Sequence, residues 1–308
     1  MSEAKSGGGA KKPAASRKTS ASKTPDWAVE ELHATYRQAL RIDEVLYDSE
    51  TDHQRLRIFR NERFGRVLTL DGVVQTTEGD EFIYHEMLTH VPILAHGAVK
   101  SVLIIGGGDG GMLREVCRHR GVERVVMVEI DGGVVDFSKT HLPSLSAGAF
   151  DDPRLELVIS DGADFMKADD GETFDVIIVD STDPIGPGET LFTDHFYGHA
   201  ARRLTSSGVL VTQNGVPFMQ PDELKGTMRA FQSLFADWTC YLAHVPSYAG
   251  GPMALGWGCQ DPSIREVAGT LVRHRFREAG LATRYYTPNV HRAAFALPRY
   301  IEALLSDA

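Results

Sequence analysis

The hydrophobic pattern changes character twice along the chain. From Ser101 onward, short apolar runs alternate with longer segments of helical spacing. The runs are Ser101–Ile105, Arg124–Val128, Leu155–Ile159, Phe174–Val179 and Val209–Gln213, with Leu234–His244 and Met253–Trp257 as later candidates. Ser101–Ile105 is fully apolar after its serine, the kind of run that suits a strand buried on both faces of a parallel sheet. The alternation of the runs with helices predicts an α/β fold with helices on both sides of a mostly parallel sheet. Upstream, over residues 43–78, the period shortens to two. Leu56 and Ile58 alternate with arginines, and Val67-Leu68-Thr69-Leu70 runs into Asp71-Gly72, a tight-turn dipeptide, before Val73-Val74-Gln75. That pattern predicts a small antiparallel unit of hairpins. Asp80 is placed to cap a helix with the stripe Ile83, Met87, Val91 and Leu94, which Pro92 limits or kinks and Gly97 ends. Val29, Leu32, Tyr36 and Leu40 fit one face of a short helix over residues 28–40. The chain therefore divides into a tail over residues 1–26, a hairpin domain over 27–88 and an α/β domain over 89–308.

Composition narrows the setting. The 308 residues carry a net charge of −10. Residues 1–25 hold six Lys/Arg and one acid, a net of +5, so the remaining body stands at −15. An acidic body favours cationic partners and disfavours nucleic acid. The Ser/Ala/Gly/Lys-rich tail has no apolar stripe and is expected to be a disordered extension. No apolar run is long enough to span a bilayer, and no apolar h-region follows the basic start, so a cytoplasmic protein without a membrane partner is expected. Cys117, Cys240 and Cys259 are scattered and read as reduced thiols. The histidines show no metal-ligand spacing, so no metal is expected.

The chemistry gathers at the strand ends, where sheets of this kind bind ligands. Four successive strands lead into an acid: Asp109, Glu129, Asp161 and Asp180, with Asp183 three residues further on. Any one such acid is explained by turn and cap preferences. Four in a row point to a cationic or polyhydroxylated ligand. The loop Gly106-Gly107-Gly108-Asp109-Gly110-Gly111 satisfies the spacing of dinucleotide loops, in which backbone approaches a ligand at a helix N-terminus. Asp109 argues against a phosphate there, because a carboxylate about 5 Å from one costs roughly 3 kcal/mol at an effective dielectric of 20. A sulfonium nucleoside reverses that sign and keeps a ribose for Glu129. An S-adenosyl ligand therefore fits better than NAD.

The segments LDGVVQTTEGDEFIYHEML, VLIIGGGDGGMLREV, VEID, DDPRLELVISDG and DSTDPIGPGETLF resemble the spermidine synthase family, bacterial members above all. The likeness extends from about Leu46 to the C-terminus, where RYYTPNVHRAAFALP also fits. It implies a methyltransferase-like Rossmann domain preceded by a small β domain, assembled as a homodimer or homotetramer. It also implies transfer of an aminopropyl group from decarboxylated S-adenosylmethionine to putrescine, giving spermidine and methylthioadenosine. The donor is a co-substrate, and no cofactor is permanently bound.

Carried over by motif, the resemblance assigns the donor to Gln54, Asp109, Glu129, Asp161, Gly162 and Pro187. Asp109 would hold its aminopropyl ammonium, Glu129 its ribose, and Asp161 with Gly162 its adenine, which Pro187 borders. Tyr84, His85, Asp109, Asp180, Ser181, Thr182, Asp183 and Tyr248 would line the amine side. Asp180 would be the general base. The assignment agrees with elementary chemistry. An ammonium of pKa near 10.4 has no lone pair, and freeing one at pH 7 costs roughly 4–5 kcal/mol. A positioned carboxylate can take that proton. The Pro/Gly-rich segment from Asp183 to Glu189 suits a lid that excludes water.

Three other readings share parts of this pattern. An S-adenosylmethionine methyltransferase would bring a donor carboxylate against Asp109 and Asp180. A non-catalytic polyamine binder would have no use for a base. An NAD enzyme meets the objection from Asp109. A different amine acceptor stays open within the preferred reading. Deleting residues 1–25 should leave activity and thermal stability within about twofold, since such termini carry few packed contacts. A large loss of either on truncation would make the tail structural.

Overall fold

The computed structural model describes residues 26–50, 54–168, 171–182 and 186–306. The expected tail lies outside the described residues, apart from Asp26. Three sheets build the molecule. Strands β1 (Asp26–His33) and β2 (Tyr36–Ile42) form a two-stranded hairpin. Strands β3 (Glu44–Glu50), β4 (Arg55–Asn61), β5 (Gly65–Leu70) and β6 (Val73–Thr77) form a four-stranded antiparallel sheet. Asp71 and Gly72 both have positive φ, 49° and 86°, as the tight turn between β5 and β6 demands.

The hairpin corrects the helix expected over residues 28–40. Its apolar residues do recur at helical spacing, but packing selects the strand. Ala28 pairs with Leu40 across the hairpin. With Ile42 of the same hairpin, both lie against Phe59, Val67 and Val74 on one face of the four-stranded sheet. The other face of that sheet, through Leu56, Ile58 and Leu68, meets Val134, Phe137 and Leu145 of helices α3 and α4 described below, and Leu142 between them.

The third sheet has seven strands. These are β7 (Ser101–Gly106), β8 (Arg124–Glu129), β9 (Leu155–Ile159), β10 (Phe174–Asp180), β11 (Leu204–Gln213), β12 (Asp237–Ala243) and β13 (Met253–Cys259). Their order is β12-β13-β11-β10-β7-β8-β9. Strands β7 to β11 run parallel, while β13 and β12 are antiparallel additions. This is the expected α/β Rossmann-type architecture behind a small β unit.

Helices cover both faces, and side-chain alternation sorts the core. Val102, Ile104, Val125, Met127, Val176 and Ile178 face a layer that includes α1 (Glu81–His96), α2 (Gly111–Cys117), α8 (Gly269–Ala279) and α9 (Pro288–Ala294). Leu103, Ile105, Val126, Val128, Ile177 and Val179 face α5 (Gly162–Lys167), α6 (Asp194–Arg202), α7 (Pro221–Leu234) and α10 (Arg299–Ser306). Helices α3 (Gly132–His141) and α4 (Pro143–Ser146) bridge to the small sheet. Residue 88, the expected domain boundary, falls inside α1. That helix runs unbroken past Pro92 and ends at Gly97 in the left-handed conformation, φ 78°.

Asp80 departs from its expected role. It makes no side-chain cap to α1. Its carboxylate accepts instead from Thr77 Oγ1 (2.6 Å), Ser247 N (2.7 Å) and Ser247 Oγ (3.1 Å). It thus ties the start of α1 to the loop after β12. Because Asp80 is only 4 % exposed, Asp80→Ala should leave the Ser247 N–H unpaired and cost about 1–3 kcal/mol. Urea denaturation checks this. A variant as stable as wild type would mean that water replaces the carboxylate without cost.

Candidate active site

The strand order fixes where the site lies. The chain builds β7, β8 and β9 in one direction, then returns to place β10 on the other side of β7. Between β7 and β10 the order reverses, which opens a crevice at their carboxyl ends. There Gly106 and Asp180 stand in register, and Gly107 N–H donates to the Asp180 carbonyl at 3.2 Å. A cavity of about 330 Å³ occupies the crevice. Its wall draws on all three sheets: Glu30 and Gln38 from the hairpin, Leu70 and Gln75 from the small sheet, and the strand ends of the large one.

Of the residues singled out above, Gln54, Tyr84, His85, Asp109, Glu129, Asp161, Gly162, Asp180, Ser181, Thr182 and Tyr248 all line this cavity. Asp183 lies outside the described residues, as does the first part, residues 183–185, of the lid expected from Asp183 to Glu189. Pro187 falls in a short 3-10 helix, Gly186–Phe192.

The glycines are required by close approach. A Cβ on Gly108 would stand 2.8 Å from both Glu129 Oε2 and Val134 Cγ1. One on Gly111 would stand 2.2 Å from the His85 ring. The loop can therefore lie flat against Glu129 and His85 only without side chains.

Each carboxylate is held by donors. Asp109 accepts from Gly111 N at 2.7 Å and faces His85 Nε2 at 3.7 Å. Glu129 accepts from Asp131 N at 2.9 Å. Asp161 caps α5, accepting from Ala163 N (2.7 Å) and Asp164 N (3.1 Å), so it serves the fold as well as lining the cavity. Asp180 accepts from Tyr84 Oη at 2.7 Å. Tyr248 donates to the Gln75 carbonyl at 2.5 Å, and its ring meets that of Tyr84 edge-on at 6.0 Å.

Crowding these acids away from water disfavours their ionised forms. Burial, aided by Asp131 and Asp180, pushes Glu129 up to about 7 against its backbone hydrogen bonds. Burial also raises Asp180 to about 6; Asp109 adds to that, while His85 and the Tyr84 hydrogen bond oppose it. Tyr84 is held well above its ordinary value by burial and by Asp180, so it stays a hydroxyl donor. For His85, burial works against the charge, but Asp109, Glu81 and Asp180 together win and raise it to about 9. The cavity therefore holds an imidazolium among carboxylates, and a cationic ligand would relieve the remaining repulsion.

Sequence reasoning missed Glu30 and Gln38, because it read their strands as a helix. It also missed Glu81, whose i,i+4 spacing to His85 was the available signal.

Comparison with known proteins accounts for this arrangement. Residues 81–267 match the spermine/spermidine synthase domain, and residues 27–78 match the spermidine synthase tetramerisation domain. The chain belongs to the spermine/spermidine synthase family. It is 69% identical over 278 residues to the polyamine aminopropyltransferase of Ruegeria sp. (strain TM1040), covering 90% of this chain and 98% of that one. It is 58% identical over 272 residues to polyamine aminopropyltransferase 1 of Pseudomonas aeruginosa, covering 88% and 95%. A crystal structure of a spermidine synthase in complex with the transition state analogue AdoDATO superposes with a TM-score of 0.86 at 36% identity, covering 94% of this chain and 99% of that one. The spermidine synthase of Thermotoga maritima gives 0.83 at 35%, covering 94% and 98%. The chain is accordingly an aminopropyltransferase of polyamine metabolism.

The Tyr84 hydroxyl favours the ionised form of Asp180. Tyr84→Phe should therefore raise the Asp180 titration from about 6 by roughly one unit. Carboxyl carbon NMR follows it, with Asp180→Asn to assign the signal. An unchanged midpoint would show that the hydrogen bond has no electrostatic weight.

Proposed function

We propose that the chain transfers the aminopropyl group of decarboxylated S-adenosylmethionine to putrescine, with Asp180 as general base. The observation that carries this reading is the Asp180 carboxylate at the switch point. It ends a buried strand, registers with the glycine loop and accepts from Tyr84 at 2.7 Å. The match to spermidine synthases supports the choice of substrates.

The proposed roles rest on the cavity lining, except those of Asp183 and Pro187, which rest on the family motif alone. Asp109 sits where the donor's aminopropyl ammonium would be neutralised, Glu129 where ribose hydroxyls would be bound. Asp161 and Gly162 border the adenine, with Pro187 near it and Gln54 on the nucleoside side. Tyr84, His85, Ser181, Thr182, Asp183 and Tyr248 surround the diamine and the aminopropyl chain.

The chemistry balances without a metal or a covalent enzyme intermediate. The diamine's ammonium gives one proton to Asp180. Its nitrogen lone pair attacks the carbon beside the sulfonium. The carbon–sulfur bond breaks, and its electron pair stays on sulfur as methylthioadenosine leaves. Spermidine departs with its new secondary amine protonated, so one proton remains to be released from Asp180. A base raised to about 6 suits this work better than an ordinary carboxylate, because its pKa lies nearer the working pH.

We also propose a homo-oligomer, dimer or tetramer. The match of residues 27–78 to a tetramerisation domain supports it, as do Trp27, Val29 and Tyr36, large apolar residues exposed on the hairpin.

Asp180→Asn keeps the size of the side chain and removes the proton acceptor. Turnover should fall by about 10²–10⁴, the usual worth of a general base. Donor binding should weaken far less, and residual activity should rise with pH as the amine deprotonates in solution. Near wild-type turnover at neutral pH would overturn the assignment. Equal losses of donor affinity and turnover would make Asp180 a binding residue.

A further inference from the structure

One buried polar group near the cavity has no part in the mechanism above. Glu81, in the first turn of α1, does not line the substrate cavity but a second one of about 310 Å³ on the other side of the helix. Its side chain is 7 % exposed. Burying a carboxylate is costly unless it is paired. Glu81 is paired twice. Its Oε2 lies 2.6 Å from His85 Nδ1, and Arg114 of α2 donates to it through Nη2 at 2.8 Å and Nη1 at 3.2 Å. Arg114 is itself fixed by Glu115 (2.8 Å) and the Leu145 carbonyl (2.6 Å). The His85 ring is 3 % exposed and lies against Gly111, with no room to turn.

We infer that Glu81, held in place by Arg114, is a positioning residue for aminopropyl transfer: it fixes His85 as an imidazolium between Asp109 and Asp180, so that the base stays ionised while the cavity is closed to water.

The geometry leaves His85 little choice. An anion on Nδ1 keeps a proton there, and Nε2 then points at Asp109, 3.7 Å away. With both nitrogens facing carboxylates, the ring is stable as a cation. The charged and titratable groups around it are Glu81 and Tyr84 from its own helix, Asp109 from the glycine loop and Asp180 from β10. Behind Glu81 stands Arg114, and behind Tyr84 stands Tyr248. Of these, Glu81 and its partner Arg114 neither touch the substrate cavity nor have a proposed substrate to bind. Without the imidazolium, Asp109 and Asp180 would repel each other unscreened, and Asp180 would hold its proton to higher pH.

The kinetic part of the test rests on the proposed reaction; the titration does not. In the full-length protein, the His85 imidazole is followed by NMR, with His85→Gln to assign it. Glu81→Gln should lower its pKa from about 9 by at least about one unit. Arg114→Gln should move it the opposite way, because Glu81 would then spend its charge on His85 alone. Opposite shifts cannot come from loosened packing, and the second variant keeps the test open if the first fails to fold. In kinetics, Glu81→Gln should bring the alkaline loss of kcat/KM, where the ring gives up its proton, down by about one unit and leave the acidic limb in place, because near pH 6 the ring is still an imidazolium. Adding it to His85→Gln should cost nothing further, since Glu81 acts through that ring. An unmoved His85 titration in Glu81→Gln would overturn the inference, as would a loss of activity equal at every pH. A wild-type enzyme without aminopropyl transfer would sink the proposed function, while the titration would still judge Glu81.

Discussion

The structure is organised around carboxylates kept from water in one crevice. Asp109, Glu129 and Asp180 line a single cavity, and each would be more stable apart. The fold accepts the cost by surrounding them with fixed donors: the Gly111 and Asp131 backbone amides, the Tyr84 hydroxyl and the His85 imidazolium. What these donors leave uncompensated is the attraction for a cation. The two cationic substrates proposed above would meet this cavity's need and bring the charge that a neutral or anionic ligand would lack. Burial, with Asp109 beside it, also raises the pKa of Asp180, which suits that carboxylate to the base role proposed for it. On the proposed reading, binding and proton transfer would in this sense be one electrostatic device.

The scaffold serves that device from three directions. Strands β7 and β10 hold Asp180 beside the glycine loop on rigid backbone. Helix α1 carries Tyr84 and His85 on the cavity side and Glu81 toward the second cavity. The loop after β12 brings in Tyr248 and is tied to α1 through Asp80 and to the small sheet through the Gln75 carbonyl. A third anchor is Gln38 of the hairpin, which donates to the Ser247 carbonyl at 2.6 Å. The small sheets are therefore walls of the site and not mere appendages to the α/β domain.

How much of this was legible in the sequence depended on how local the cause was. Strand β9 begins and ends where its apolar run does, because Gly and Asp punctuate it. Strand β11 starts five residues before the expected Val209: its first half, Thr205-Ser206-Ser207-Gly208, is polar, and pairing with β10 shifts register there. The hairpin over residues 26–42 was misread because apolar spacing allowed a helix, and only packing on Phe59 and Val67 decides otherwise. The cavity acids were legible because each follows a strand. Glu81 was not: a first-turn acid normally faces solvent, and its burial is set by Arg114, 33 residues away. The contact of Tyr248 with Gln75 spans 173 residues and has no local signature at all.

The central claim is that this cavity selects a donor without a carboxylate and uses it to alkylate an amine. It is tested most directly by incubating the protein with putrescine and either decarboxylated S-adenosylmethionine or S-adenosylmethionine, then identifying the products by mass spectrometry. The account predicts spermidine and methylthioadenosine from the decarboxylated donor and little turnover of the other, whose carboxylate would meet Asp109. Methylated putrescine with S-adenosylhomocysteine, or equal turnover of both donors, would contradict it.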